Sequence, residues 1–531
     1  MKKLSFLFLL VLLSTLTASA QTLIDGIYYN LNSDTKTAAV TSNPNYYSDG
    51  FTIPDTVTYE DVKYTVTEIE PHAFFGCRGL TYIIFPNTLT TIGEYAFPWC
   101  SGLTGITIPG SVKEVGSNAF YGCTGITDVS MGEGVTSIGY GAFYGCKGMT
   151  SVSIPNSITK IDGVAFCECS ALKSVIIPES VTTIGDWAFF ECSALKSITI
   201  PSSVTSIGEN VISGCTSIAS VTVESGNKVY DSRENCNAII ETATNTLIAS
   251  CRNTVIPNSV TALGNYAFSN HPLPSVEIPS SVTSIGKNGF AGCSDIKSFT
   301  LPSGVTTIGE SAFRDCTSLT SFSFPEGVTE IQQWTIYMCT GLKSVTIPSS
   351  VTNIATGVFV GCNALTDIYC YAVDAPTLAR SVFSKVTFTN ATLHVPEGSI
   401  DAYKAAAQWS SFGNIVAIDE SEPVEPEVKK CATPMIAFFG GRLIFRCATP
   451  DVKYLCNVEF ETDGTNVTLP SRPSYVKISV CATKEGYEPS ETLSSVIDMN
   501  LLLSKIGDIN GDGIVNGTDI QEVINIIVEG N

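Results

Sequence analysis

Cysteine stands at Cys77, Cys100, Cys123, Cys146, Cys169, Cys192 and Cys215, always 23 residues apart. It resumes in the same step at Cys293, Cys316, Cys339 and Cys362. A chain with such a fixed period is one short unit repeated, and repeated units stack as a solenoid in which each coil touches mainly its neighbours. Equivalent residues of successive coils then lie about 4.8 Å apart, the spacing of hydrogen-bonded strands. The eleven periodic thiols therefore form one column. Cysteine packs inside proteins as a small apolar residue with a weak donor, so an unbridged interior ladder is expected. A catalytic thiol in every coil makes no chemical sense.

One clean coil runs from Ser180 to Pro201. Ile198 and Ile200 alternate in a β-branched stretch, which predicts a strand, and Pro201 ends it because proline has no N–H for a ladder. Val181–Ile184 suggests a second short extended piece, and Asp186–Cys192 has the spacing of a single helical or 3₁₀ turn. Val181, Ile184, Ala188, Phe189, Cys192, Leu195, Ile198 and Ile200 recur as apolar types in neighbouring coils. Such a unit cannot bury its apolar face alone and needs stacking on both sides.

Thirteen turns of about 23 residues fit between 66 and 371. One interval, 225–257, carries about ten extra residues and is polar and loop-like. Cys236 and Cys251 fall there, outside the ladder, where a local disulfide is an open alternative to two free thiols. Residues 21–65 read as an N-terminal cap with short strands at Ile27-Tyr28-Tyr29 and Phe51-Thr52-Ile53. Residues 372–418 read as a C-terminal cap, with a helical pattern from Ser399 to Trp409 and an aromatic cluster at Trp409 and Phe412. Residues 419–430 are an acidic, proline-rich linker. Residues 431–500 carry evenly spaced strand-like runs and predict a small β-sandwich. At least one bridge is expected among its Cys431, Cys447, Cys456 and Cys481. Residues 1–20 have a basic start at Lys2 and Lys3, an apolar run from Leu4 to Leu16 and small residues before Gln21, the pattern of a cleaved signal peptide. The mature chain is expected to be exported and not integral to a membrane.

Charge narrows the partners. The formal charge is −21, and two units more negative once Lys2 and Lys3 are gone. Nucleic acid and anionic membrane surfaces are poor candidates for so acidic a chain. Three histidines (His72, His271, His394) leave little material for acid–base or zinc chemistry, and no Ser/His/Asp or Cys/His grouping or phosphate loop is evident, so the chain does not read as an enzyme. In Cys167-Glu168-Cys169 the ladder accounts for Cys169, and Cys167 occupies a slot filled by Tyr144 or Phe190 in other coils. Tyr95, Tyr121, Tyr144, Trp187 and Phe190 gather on one edge. They could anchor a protein or stack on sugar rings, or serve only to pack coil against coil. The exposed row of the main strand (Thr107, Ser130, Ser153, Thr199, Thr222, Thr300, Ser323, Thr346) is small and hydroxylic and names no ligand.

The sharpest chemical motif lies at 508–519. Asp508, Asn510, Asp512, Asn516 and Asp519 occupy positions 1, 3, 5, 9 and 12 of a loop with Gly513 at the turn, and the Ile514 carbonyl supplies a sixth oxygen. Calcium takes roughly 6–8 hard oxygens, and this spacing curls them round one point. Ile520, Val523, Ile524, Ile527 and Val528 then form one apolar helix face. Calcium is the expected ligand of a loop–helix tail over 506–531.

These motifs resemble known families. A period of 20–29 residues is that of leucine-rich-repeat arrays. The recurring pattern, plain in Ile138-Gly139, Phe143-Tyr144-Gly145-Cys146 and Val345-Thr346-Ile347-Pro348, resembles BspA-type leucine-rich repeat proteins of bacterial surfaces over about 22–418. That resemblance implies a curved right-handed solenoid and adhesion to host matrix proteins or other cells. Residues 431–497 look like immunoglobulin-like domains. The tail resembles one of the two loop–helix repeats of a dockerin, which implies docking to a cohesin-like partner. The resulting expectation is a secreted or cell-surface binding protein with a β-rich leucine-rich-repeat solenoid, a β-sandwich and a calcium tail. The alternative is a non-catalytic part of a polysaccharide-degrading assembly.

Overall fold

Two short strands per coil generate two parallel ladders. Thr183–Ile184 pairs in register with Lys160–Ile161 on one side and Ser206–Ile207 on the other, each one repeat away. Ser197–Ile200 pairs likewise with Ser220–Val223, stacking Ile198 on Val221 and Ile200 on Val223. The computed structural model describes residues 21–418 together with five strands beyond them: Met435–Phe439, Arg442–Arg446, Lys453–Glu461, Tyr475–Thr483 and Leu493–Asp498. The expected signal peptide, the linker and the calcium tail, with Asp508, Asn510, Asp512, Ile514, Asn516 and Asp519, lie outside the described residues.

The chain divides into two compact units, Met1–Ala417 and Ile418–Asn531. The first is a β-solenoid of about 15 turns with little helix. This exceeds the thirteen turns counted from the sequence because the flanking segments join the same ladders. Thr37–Val40 pairs parallel with Val62–Ile69 at one end. At the other, Asp367–Cys370 pairs with Thr392–Val395, and that strand with Asn414–Ala417. An antiparallel run of Thr22–Ile24, Ile27–Asn32 and Thr37–Val40 covers the first coil. The last coils are closed by the helix Ile400–Ala405, where the Tyr403 hydroxyl donates to the Ala372 carbonyl (2.8 Å), and by Trp409, whose indole N–H donates to the Pro376 carbonyl (2.8 Å).

Inside, the expected thiol ladder is present and unbridged. All eleven periodic cysteines are free and buried. Ten of them also hydrogen-bond to the preceding coil: Cys123 Sγ donates to the Phe97 carbonyl (2.9 Å), Cys146 to Phe120 (3.2 Å) and Cys316 to Phe290 (3.3 Å), whereas Cys77, in the first coil, accepts from the Tyr47 amide (3.3 Å). The phenylalanines form a second column, from Phe74 through Phe97, Phe120, Phe143 and Phe166 to Phe189, with ring centroids 4.5–5.6 Å apart and nearly parallel planes. Ser and Thr of the pattern also reach back one coil. Ser203 Oγ donates to the Val181 carbonyl (2.7 Å), and Thr182 Oγ1 to that of Thr159 (3.2 Å). Where a glycine follows the Ile of the shorter strand, it is a close-approach position. A Cβ on Gly185 would lie 2.4 Å from the Gly163 nitrogen.

Two expectations are corrected. Residues 186–192 form no helical or 3₁₀ turn. Trp187, Phe189 and Glu191 donate their N–H to carbonyls of the next coil (each 2.9 Å), whereas Phe190 and Cys192 donate back within the turn. Helices point every N–H the same way, so this alternation excludes one. It is achieved by left-handed residues four apart, Trp187 (φ 59°) and Glu191 (φ 55°), and both positions recur through the array, as His72, Tyr95 and Asn118 and as Trp99 and Glu168. The second correction concerns 225–257, which is ordered and not a polar loop. Ile239–Glu241 and Thr246–Ala249 form an antiparallel hairpin, flanked by Tyr230–Asp231, and Thr246–Ala249 rejoins the parallel ladder at Ala262–Leu263. Asp231 clamps the Arg233 guanidinium (2.7 Å), and Asn227 Oδ1 accepts from the Val229 and Tyr230 amides (each 2.9 Å). Cys236 and Cys251 are buried and free, so the disulfide alternative falls.

In the second unit Met435–Phe439 pairs antiparallel with Arg442–Arg446. Lys453–Glu461, Tyr475–Thr483 and Leu493–Asp498 form a three-stranded antiparallel sheet.

Candidate binding surface

The left-handed turns form one edge of the solenoid, and its first coils expose aromatic rings there. Of the aromatics expected on this edge, Tyr95, Tyr121, Tyr144, Trp187 and Phe190 are all half-buried. Tyr121 stacks on Tyr144 (4.8 Å, 3° between planes), and Trp187 tilts against Phe190 (4.7 Å). Tyr95, Tyr121 and Tyr144 pack coil against coil, Trp187 packs on Tyr266 of a later coil, and Phe190 packs on Trp187 within its own. Tyr144 also donates to Glu168, which pairs with Lys147 (3.1 Å), and that tyrosine hydrogen bond holds the Glu168 carboxyl below its usual range.

The exposed rings are others: Tyr46 (61% exposed), Phe75 (45%) and Trp99 (42%). With Gly76 and Arg78 they line an open groove of about 510 Å³. Trp99 is preset. Its backbone is left-handed (φ 58°), and its indole sits against Gly122, where a Cβ would come within 2.6 Å of Cδ1. Phe75 meets Trp99 edge-on at 5.1 Å and 86°, and Trp99 meets Tyr121 at 5.7 Å and 89°. The packed rings thus act as a foundation for the exposed ones. Trp, Tyr and Arg are the residues that carry most binding energy at protein interfaces. The sequence signal for Trp99 was available: Phe97-Pro98-Trp99-Cys100 breaks the Phe-x-Gly-Cys pattern.

Other features offer less. The hydroxyl row of the main strand is largely exposed as expected, and Thr199 and Thr222 hydrogen-bond each other (3.0 Å). Cys167 and Cys169 are both buried, and burial pushes the Cys167 thiol up to about 12. Among the described residues no group of three or more His, Cys, Asp or Glu is placed to hold a metal ion, and no helix is long and apolar enough to cross a membrane.

Comparison with known proteins agrees with this architecture. The family described as the BspA type leucine rich repeat region matches at 51–170, 136–244 and 239–366. Among solved structures, the pneumococcal vaccine antigen PcpA matches at 21% identity and TM-score 0.56, over 76% of this chain and 99% of that one, a likeness of fold. A leucine rich cell surface protein from Faecalibacterium prausnitzii matches at 26% identity and TM-score 0.47, over 76% and 95% of the two chains. A leucine-rich repeat protein from Eubacterium ventriosum matches at 19% and 0.49, over 77% and 97%. No curated protein matches the chain. The family match spans more than half of the sequence and coincides with the stacked coils, and the chain belongs to the BspA-type leucine-rich repeat family.

Proposed function

We propose that this is an exported bacterial surface protein whose solenoid binds a protein partner, on host matrix or on a neighbouring cell, through the groove of Tyr46, Phe75, Arg78 and Trp99. The observation that carries this reading is the exposed, preset Trp99 among interface-forming residues. The family match supports it, as does the likeness of fold to a pneumococcal vaccine antigen. We further propose that Asp508, Asn510, Asp512, Ile514, Asn516 and Asp519 bind calcium, and that this tail anchors the protein.

The test is surface plasmon resonance of the exported protein on immobilised fibronectin, fibrinogen and whole bacterial cells. Binding to at least one is expected, and Trp99→Ala should weaken it more than about thirtyfold, the loss of a hot-spot residue worth about 2 kcal/mol or more. Failure of the protein to bind any of these surfaces overturns the reading. Calcium titration of the full chain should give one binding event that Asp508→Ala abolishes; identical silence from both proteins removes the calcium proposal.

A further inference from the structure

One coil breaks the repeat in a way that opens a cleft. Where neighbouring coils read Ile-Gly followed by a side chain, as in Ile138-Gly139-Tyr140 and Ile184-Gly185-Asp186, this coil reads Ile161-Asp162-Gly163. The swap removes a side chain from the turn edge and leaves Gly163 as a bare floor. A Cβ there would lie 3.2 Å from the Tyr140 ring and 3.3 Å from the Asp186 carbonyl. Tyr140, 53% exposed, lies over this glycine. The resulting cleft, about 390 Å³, is lined also by Trp187, Asp186, Thr183 and Ser206.

Its polar groups are sorted. Asp162 is fully engaged, accepting from the Gly163 amide (2.8 Å) and pairing with Lys160 (2.9 Å). Asp186 is fixed through one oxygen only: Oδ1 accepts from the Glu209 amide (2.8 Å), whereas Oδ2 has no partner among the described residues. Trp187 is propped by Phe190 (4.7 Å) and Tyr266 (5.7 Å). The cleft thus presents aromatic surface, one free carboxylate oxygen on a fixed side chain and two hydroxyls. A pyranose has the matching surface. Its C–H face lies on an aromatic ring, and its hydroxyls donate to the carboxylate and exchange hydrogen bonds with Ser and Thr. With Asp162 already neutralised by Lys160, the site carries less negative charge than a cage for a cation would need.

We propose that the cleft at Tyr140, Gly163 and Asp186 is a binding site for a neutral glycan. It is separate from the groove at Trp99 and independent of it. The test is affinity electrophoresis of the full chain through native gels containing mannan, xylan or laminarin. Retardation by at least one is expected. Tyr140→Ala and Asp186→Asn should each weaken it at least about tenfold with the melting temperature unchanged, since Asn keeps the bond from the Glu209 amide. Trp99→Ala should leave it intact, which separates this site from the protein-binding groove. Absence of retardation by all three polysaccharides, or retardation that survives both substitutions, overturns the proposal. So does capture of a lysine-rich peptide in their place, lost in Asp186→Asn, which would assign the cleft to a cationic partner.

Discussion

His271 occupies the slot that cysteine fills in its neighbours. Phe268-Ser269-Asn270-His271 aligns with Phe290-Ala291-Gly292-Cys293. The ring is 2% exposed, and its Nδ1 has no hydrogen-bond partner. Burial pushes the imidazole down to about 4. A depressed histidine favours the neutral ring in the fold. Its contribution is therefore complete above about pH 6.5 and lost as pH falls toward 4, a change worth about 3 kcal/mol. Carboxylates titrate in the same window, so the informative measurement is a difference. Chemical denaturation of His271→Cys should lose less stability between pH 6.5 and 4 than the native chain. Equal losses would show that the ring is not buried neutral.

At the scale of the element, the thiol column has its own pH signature. Burial pushes Cys77 to about 11 and Cys293 to about 12, and raises Cys146 and Cys316 well above the ordinary range. Thiols raised in the fold cost nothing below about pH 8.5 and destabilise it above, by about 1.4 kcal/mol per thiol per pH unit until the folded value is reached. Stability should therefore fall steeply from pH 8.5 to 10, and replacing Cys146 and Cys316 by Ala should make the fall shallower, at a cost of about 1 kcal/mol each for the lost hydrogen bond. Iodoacetamide at neutral pH should label none of the ladder thiols before unfolding, because the thiolate is the reactive form. The ladder was legible in the sequence because burial repeats with a fixed step. The turn was not, since its left-handed column is filled by His, Tyr, Asn, Gly, Val and Trp alike. Those backbones are held by hydrogen bonds to the next coil rather than by residue type. The insertion was misread for a related reason. Its Asn and Glu residues mask Ile239, Ile240 and Leu247, which are buried because coils lie on both sides. Likewise the packed aromatics were recognisable as a group, but which rings remain exposed depends on what the adjacent coil places over them.

Across the whole solenoid, the hairpin at 239–249 is the seam between two cores. One runs from Ile27 to Cys251 and includes Ile239; the other runs from Cys236 to Phe412 and includes Ile240 and Leu247. In a stack where each unit contacts its neighbours, cooperativity passes through such interfaces. Ile239→Ala with Ile240→Ala removes about 2–5 kcal/mol per site from the seam. Urea unfolding of the solenoid should then split into two transitions, assigned to the halves by hydrogen exchange, where one is expected of the unsubstituted solenoid. A single transition shifted to lower urea would mean that the halves are coupled elsewhere.

The backward reach of the thiols and hydroxyls gives the stack a direction. Ser180, Ser203 and Ser350, with Cys146 and Cys316, all donate to a carbonyl in the coil made before their own. A coil added at the growing end finds the acceptors of its hydroxyls and thiol already in place, while its own carbonyls receive the waiting turn amides of the coil before it. The side-chain bonds thus favour laying the coils in the order in which the chain is made. Shortening the stack from the carboxyl end removes hydroxyl and thiol donors and leaves their carbonyls bare, and it also strands the turn amides that donate forward, as those of Trp187, Phe189 and Glu191 do. Shortening it from the amino end strands hydroxyls and thiols on the new first coil.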